Sequence, residues 1–262
     1  MAHKDGATVP MLSRTAVIDY AAVQPAHLVE TFAAADVGLS RQERLAEEVD
    51  GATRLPLLLT WRAPRALIVG RSDARLPHFV EAAERLLVEG WPVLLRRSGG
   101  GACPVSRGTL QIAIARPVTA ATKIDAGYRE LGGLVGAVLA GYGLTPQAGE
   151  IGAAFCPGRY DISLDGRKIA GLSQHWRRCN GRPTVTTSAT LVVEEDLAEF
   201  ARIVNLFYTI AGGKQRCAAA AIGCVRQALR GAILIRGEAL IGDLGARLTA
   251  AARKSLEHPA FR

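Results

Sequence analysis

The sequence predicts an α+β protein in which a mixed β-sheet is flanked by helices. Three observations carry this. Runs with strand and helix periodicity mix along the chain without the regular βαβ alternation of a doubly wound sheet. Thr109–Ala115 alternates strictly at Leu110, Ile112 and Ile114, the pattern of a half-buried strand. Asp165-Gly166 joins two short strand-like runs and marks a hairpin, because a type I′ turn needs positive φ at both central positions.

In chain order, residues 1–24 read as an N-terminal extension or a first edge strand. Residues 25–262 read as a single domain whose last part, about 211–262, is a small helical element. Ser40 and Glu43 have capping-box spacing ahead of a short helix that reaches about Val49 and is ended by Gly51. Leu55–Trp61 and Ala66–Gly70 are apolar strands, the second followed by a turn at Asp73. Pro77–Glu89 places Val80, Ala83 and Leu87 at helical spacing and stops at Gly90. Pro92–Arg97 is a strand leading into Ser98–Gly101. Ala126–Leu139 is the longest helix, with Leu131, Leu134, Val135 and Val138 on its apolar face. Irregular chain follows up to Gly158, and then come the hairpin arms Arg159–Leu164 and Arg167–Ala170. Thr184–Val193 is a β-branched strand, and Glu195–Tyr208 is a helix that turns Leu197, Phe200, Ala201, Val204 and Phe207 inward. Residues 214–253 close the chain with one or two helices and a short strand, Ala232–Arg236.

The chain has 262 residues, enough to bury a core without covalent staples. Hydrophobic residues at 49% and charged residues at 21% exclude disorder of the whole chain. No run approaches the ~18 uninterrupted apolar residues of a membrane helix, so no membrane partner is expected. The N-terminal stretch has an early Asp5 and no long apolar run, unlike a secretory signal. The cysteines are Cys103, Cys156, Cys179, Cys217 and Cys224, an odd set without a CxxC pair. That argues against a disulfide framework and against a zinc ribbon, and points to the reducing cytoplasm with no metal site. A net charge of +8 steers the chain toward anionic partners. Aromatics are only 5% and do not interleave with basic residues, so an acidic protein is preferred to nucleic acid.

Three constellations carry chemistry. Arg96-Arg97-Ser98-Gly99-Gly100-Gly101-Ala102 puts three glycines after a strand, where backbone N–H groups can turn toward a ligand. Read alone, this is either such a cradle or a surface turn. It is neither a P-loop nor a Rossmann fingerprint. The second is Phe155-Cys156-Pro157-Gly158, with Lys168 on the returning arm of the hairpin. The fold-back can bring an ammonium toward a thiol and favour the thiolate that attacks an acyl carbon; the alternative is a buried structural cysteine. The third is basic density, with Arg159, Arg167, Lys168, Arg177, Arg178 and Arg182 against Asp161 and Asp165.

At these residues a resemblance becomes specific. Arg96–Ala102 followed by Gly108-Thr109-Leu110-Gln111 resembles the RRxSGGGA…G-x-LN signature of the biotin/lipoate protein ligase superfamily. Tyr160-Asp161…Asp165-Gly166-Arg167-Lys168-Ile169-Ala170-Gly171-Leu172-Ser173-Gln174 resembles its second signature, in which a lysine follows a hairpin turn. With Gly70–Pro77 the likeness covers most of residues 40–210 and implies the catalytic-domain fold of that superfamily. Phe155–Asp161 and Lys168 look most like the cysteine-dependent octanoyl-(glycine cleavage H protein):protein N-octanoyltransferases.

The resemblance implies that Cys156 carries the acyl group as a thioester and that Lys168 assists it. It implies that Arg97, Ser98, Gly99, Gly100, Gly101, Gly171 and Ser173 contact the substrate. It implies lipoyl-domain partners: the H protein of glycine cleavage and the E2 subunits of 2-oxoacid dehydrogenases. The nearest rival reading has octanoyl-acyl carrier protein as donor, and the next is an ATP-dependent lipoate ligase. Such ligases commonly follow the glycines with His-Asp and an Asn; here the chain reads Cys103-Pro104-Val105-Ser106 and then Leu110-Gln111, so no ATP or other cofactor is expected. A non-catalytic carrier and a nucleic-acid binder are the more distant readings. His175 is a candidate base or an ordinary strand residue, Trp176 a candidate cover for the acyl chain, and Cys103 a second thiol read as packing.

Overall fold

The computed structural model describes residues 29–49, 56–120, 122–179, 181–229 and 235–254. The extension expected over residues 1–24 lies outside them. The larger of two sheets orders its strands as β1 (Glu30–Thr31), β2 (Leu57–Arg62), β6 (Thr109–Pro117), β10 (Arg182–Val192), β9 (Arg167–Cys179), β8 (Ile162–Leu164) and β7 (Gln147–Ala148). Only β1 and β2 run parallel; the other neighbours are antiparallel. The smaller sheet places β3 (Ala66–Val69) between β4 (Val93–Leu95), parallel to it, and β5 (Cys103–Val105), antiparallel. The helices are α1 (Ala35–Glu48), α2 (Phe79–Val88), α3 (Ile124–Ala140), α4 (Leu197–Ala211), α5 (Val225–Ala228) and α6 (Gly237–Lys254). This is the mixed, helix-flanked α+β architecture the sequence predicts.

β6 explains the layering. Leu110, Ile112 and Ile114 join one core with Leu131, Leu134, Val135 and Val138 of α3 and Leu240, Ile241, Leu244 and Leu248 of α6. Ala113 and Ala115 face the other way, into a core with Leu39 and Leu45 of α1 and Trp61 of β2. The strand is therefore buried on both faces rather than half-buried. Its second face carries small side chains, which let α1 approach. A third core joins α2 and α4 to the small sheet through Leu86, Phe200, Val204, Phe207, Leu67 and Val69.

The alternation, the long helix and the hairpin all appear. Asp165 (φ 49°) and Gly166 (φ 71°) have the positive φ pair of the expected turn. Asp196 caps α4 by accepting from the Ala198 and Glu199 N–H groups, and every inward residue expected on that helix is buried. α1 differs: it begins at Ala35 behind an Ala34 N-cap with no side-chain bond, so Ser40 sits inside the helix. Burial of Ala35 and Leu39 carries the helix past the apparent capping box. α2 buries Ala82 and Leu86, while Val80 and Leu87 are exposed, one position away from the expected face. The strand expected over Ala232–Arg236 falls largely outside the described residues, and α6 packs its apolar face onto the main core.

Candidate active site

A small pocket of about 50 Å³ opens where the two sheets and α1 meet. Leu39, Trp61, Ile68, Leu172 and Ala189 give it apolar walls. Its polar side chains largely satisfy one another. Thr190 Oγ1 donates to Gln111 Oε1 at 2.6 Å, Gln111 Nε2 donates to Thr109 Oγ1 at 2.9 Å, and Trp61 Nε1 donates to Gln42 Oε1 at 3.0 Å. Its apolar walls suit contact with an aliphatic chain, whose burial contributes about 0.8 kcal/mol per methylene.

Cys156 and Lys168 both line this pocket. Cys156 lies in the irregular segment before the hairpin with φ 41°, a left-handed conformation that costs a non-glycine residue about 1 kcal/mol or more. Lys168 supplies the counterweight. It follows the turn opposite Ser163, its side chain is fully buried, and its Nζ donates to the Phe155 carbonyl at 2.9 Å and the Cys156 carbonyl at 2.6 Å. Its third partner is Asp161 Oδ2 at 2.7 Å, so all three ammonium donors are used. The ammonium also stands 4.9 Å from the Phe155 ring centroid. Burial pushes the Asp161 carboxyl up to about 6, against the opposing pull of Lys168 and the Gly158 N–H. Gly171 leaves room for the lysine, since a Cβ there would sit 3.1 Å from Lys168 Cε and Nζ.

The ammonium thus engages the carbonyls on either side of the cysteine. The donors at the sulfur are different. The Gly101 N–H reaches Cys156 Sγ at 3.1 Å, and Arg96 Nη2 reaches it at 3.6 Å. Arg96 is buried and also binds the carbonyls of Ile68 (2.9 Å), Gly99 (3.1 Å) and Gly101 (2.6 Å), so one guanidinium both shapes the glycine turn and faces the thiol. Gly100, at φ +99°, passes so close that a Cβ would lie 2.8 Å from the sulfur.

Among the other residues singled out by sequence, Gly171 and Ser173 line the pocket. Ser173 Oγ donates to Ser98 Oγ at 3.1 Å, tying the glycine turn to β9. Gly99, Gly100 and Gly101 form the turn over Cys156. Arg97 points away from the pocket and pairs with Glu43 at 3.1 Å; Arg96 is the arginine that turns in. Strand parity distinguishes them, since Leu94 packs into the α1 core while Leu95 is exposed. Two adjacent leucines hid that parity in the sequence. Cys103 lines the pocket from the α4 core, its thiol pushed up by burial. His175 and Trp176 are not among the lining residues. Burial holds the His175 imidazole below its ordinary range, and Trp176 bonds Gln174 at 2.8 Å. The sequence alone assigns no role to Asp161, Asp73 or Tyr208.

Among the described residues, no group of three or more His, Cys, Asp and Glu side chains is placed to hold a metal ion. No helix among them is long and apolar enough to cross a membrane. All five cysteines are free.

The family model for the lipoyl protein ligase A/B catalytic domain matches residues 35–230. An octanoyl-GcvH:protein N-octanoyltransferase of Geobacillus kaustophilus is 38% identical over 152 residues, 58% of this chain and 52% of its own length. Its namesake from Macrococcus caseolyticus is 38% identical over 152 residues, 58% of this chain and 54% of its own. The chain therefore spans about half the length of these curated relatives. Among solved structures, a Thermoplasma acidophilum protein with bound lipoic acid superposes with a TM-score of 0.64 at 17% identity, covering 87% of this chain and 84% of that one. This last likeness is one of fold.

Proposed function

Because the chain belongs to the lipoyl protein ligase A/B catalytic domain family, we propose that it is an acyltransferase that moves an octanoyl or lipoyl group through a thioester on Cys156 to the acceptor lysine of a lipoyl-domain protein. The donor in this reading is octanoyl-H protein, and the acceptors are the H protein and the E2 subunits of 2-oxoacid dehydrogenases. The enzyme works in the cytoplasm, where its thiols stay reduced, and uses neither ATP nor a metal. One observation carries the reading: a strained cysteine at an apolar pocket whose sulfur is met by a backbone N–H and a guanidinium. The names of the relatives, given to proteins similar over 152 residues, support the same donor.

The reaction divides into two exchanges. Cys156 as thiolate attacks the acyl carbonyl carbon, forming the S–C bond and pushing an electron pair onto the oxygen. The Gly101 N–H and Arg96 meet the sulfur, and in this reading they stabilise the oxyanion that forms next to it. The electron pair returns, the C–N bond to the donor lysine breaks, and that nitrogen takes a proton from water as it leaves as an amine. The neutral amine of the acceptor lysine then attacks the thioester. The S–C bond breaks, Cys156 departs as thiolate, and the nitrogen loses a proton to leave the new amide. One amide replaces another, so no nucleotide is needed to drive the exchange.

Intact-protein mass spectrometry without ATP tests this, with octanoyl-H protein in one tube and octanoyl-acyl carrier protein in another. An octanoyl adduct on the wild type from octanoyl-H protein, absent in Cys156→Ala, is the expected result. An adduct from the carrier protein alone would replace the donor. No adduct from either, with lipoate activation once ATP is added, would leave an ATP-dependent ligase instead.

A further inference from the structure

We infer that Tyr208, braced by Asp73, fixes the glycine turn over Cys156 and is a positioning residue for the acyl transfer; this rests on the reading of Cys156 as nucleophile. Tyr208 is on α4 and Asp73 is in the turn after β3, so neither belongs to the segment carrying the cysteine. Tyr208 is 1% exposed and Asp73 3%. The Tyr208 Oη accepts the Ala102 N–H at 2.8 Å and donates to Asp73 Oδ1 at 3.2 Å. Asp73 Oδ2 in turn accepts the Gly70 N–H at 3.4 Å.

The chain from this pair to the sulfur is short. Ala102 is the peptide next to Gly101, and Gly101 carries the N–H that meets Cys156 Sγ at 3.1 Å. Gly101 lies directly on the phenol, because a Cβ built there would be 2.6 Å from Tyr208 Oη. Arg96 grips the same turn from its other side, through the Gly99 and Gly101 carbonyls. The turn is held by its carbonyls on one side and by an N–H on the other. Remove either grip and the Gly101 N–H is free to rotate away from the sulfur. Arg96 faces the sulfur itself, so its loss would mix positioning with chemistry; Tyr208 acts on the turn alone.

Stability does not account for the pair. The ring of Tyr208 packs edge-on against Phe207, 5.1 Å between centroids, and a phenylalanine there together with an apolar residue in place of Asp73 would fill the space with no buried hydroxyl or carboxyl to satisfy. Replacing buried polar pairs by apolar groups of similar shape is often neutral or stabilising. Burial raises both groups, which keeps the phenol protonated as a donor to Asp73.

The test is single-turnover acylation of Cys156 by octanoyl-H protein, followed by intact mass, in wild type, Tyr208→Phe and Asp73→Ala. Hydrogen–deuterium exchange of the peptide spanning residues 99–102 is measured in the same three proteins. In both variants the acylation rate at saturating donor falls at least tenfold, the half-saturating donor concentration stays within twofold, and exchange at the turn speeds up. A Tyr208→Phe protein that acylates within twofold of wild type overturns the proposal. So does a loss that appears only as weaker donor binding. Asp73→Ala keeps the question open to refutation if Tyr208→Phe does not fold. A wild type that never acquires the acyl group refutes the transferase reading instead, and turn exchange in Tyr208→Phe that matches wild type refutes the brace whatever the wild type does.

Discussion

At the scale of the residue, the site turns on where charges are placed. Lys168 holds the Phe155 and Cys156 carbonyls, while Arg96 and Gly101 face the sulfur. The fold-back of the hairpin was legible, because Asp-Gly dictates it, and so the approach of Lys168 to Cys156 was legible too. Which atoms meet was not, since that depends on the left-handed turn at Cys156, and nothing in a Phe-Cys-Pro-Gly string specifies a positive φ at the cysteine. Asp161 yields a pH prediction. Burial pushes its carboxyl up to about 6, above the ~3.9 of an unfolded aspartate. The folded chain therefore binds a proton that the unfolded chain does not, between about pH 4 and pH 6. Stability relative to Asp161→Asn should rise as the pH falls through that window and level off on the alkaline side. Urea unfolding of both proteins across the window measures it, and a wild type that loses stability relative to the variant on acidification contradicts the sign.

Elements were read well where one physical signal dominated and poorly where two competed. α3 and α4 have a single apolar stripe, and that stripe is the buried one. α2 has two candidate stripes, because Val80, Leu87 and Val88 are as apolar as Phe79, Ala82 and Leu86. Periodicity cannot choose between stripes one position apart; the α4 core chooses Ala82 and Leu86. Leu86→Ala should therefore cost about 2–5 kcal/mol, whereas Leu87→Ala should stay within about 0.5 kcal/mol of wild type. Thermal or chemical unfolding of the two variants separates them, and equal losses would mean that the helix is rotated from the orientation described. The early start of α1 has the same kind of cause. Local capping at Ser40 competes with burial of Ala35 and Leu39, and burial wins.

On the scale of the whole molecule, the pocket is what the sequence hid most completely. Leu39 and Gln42 come from α1, Trp61 from β2, Ile68 from β3, Gln111 from β6 and Leu172 from β9, and only the assembled sheets bring them together. The glycine turn and the cysteine–lysine pair were visible because each is local or joined by one hairpin; Tyr208 and Asp73, 135 positions apart, had no local signal. The net charge of +8 belongs to the same scale and steers the chain toward anionic partners. The central claim is that the acyl group passes through Cys156 on its way to the acceptor. The most direct measurement is a chase: load the enzyme with octanoyl, remove the donor, add an unmodified lipoyl domain without ATP, and follow both masses over time. The account predicts that the octanoyl mass leaves the enzyme and appears on the acceptor lysine at one shared rate. An adduct that persists, or that is lost to water while the acceptor stays unmodified, would contradict it.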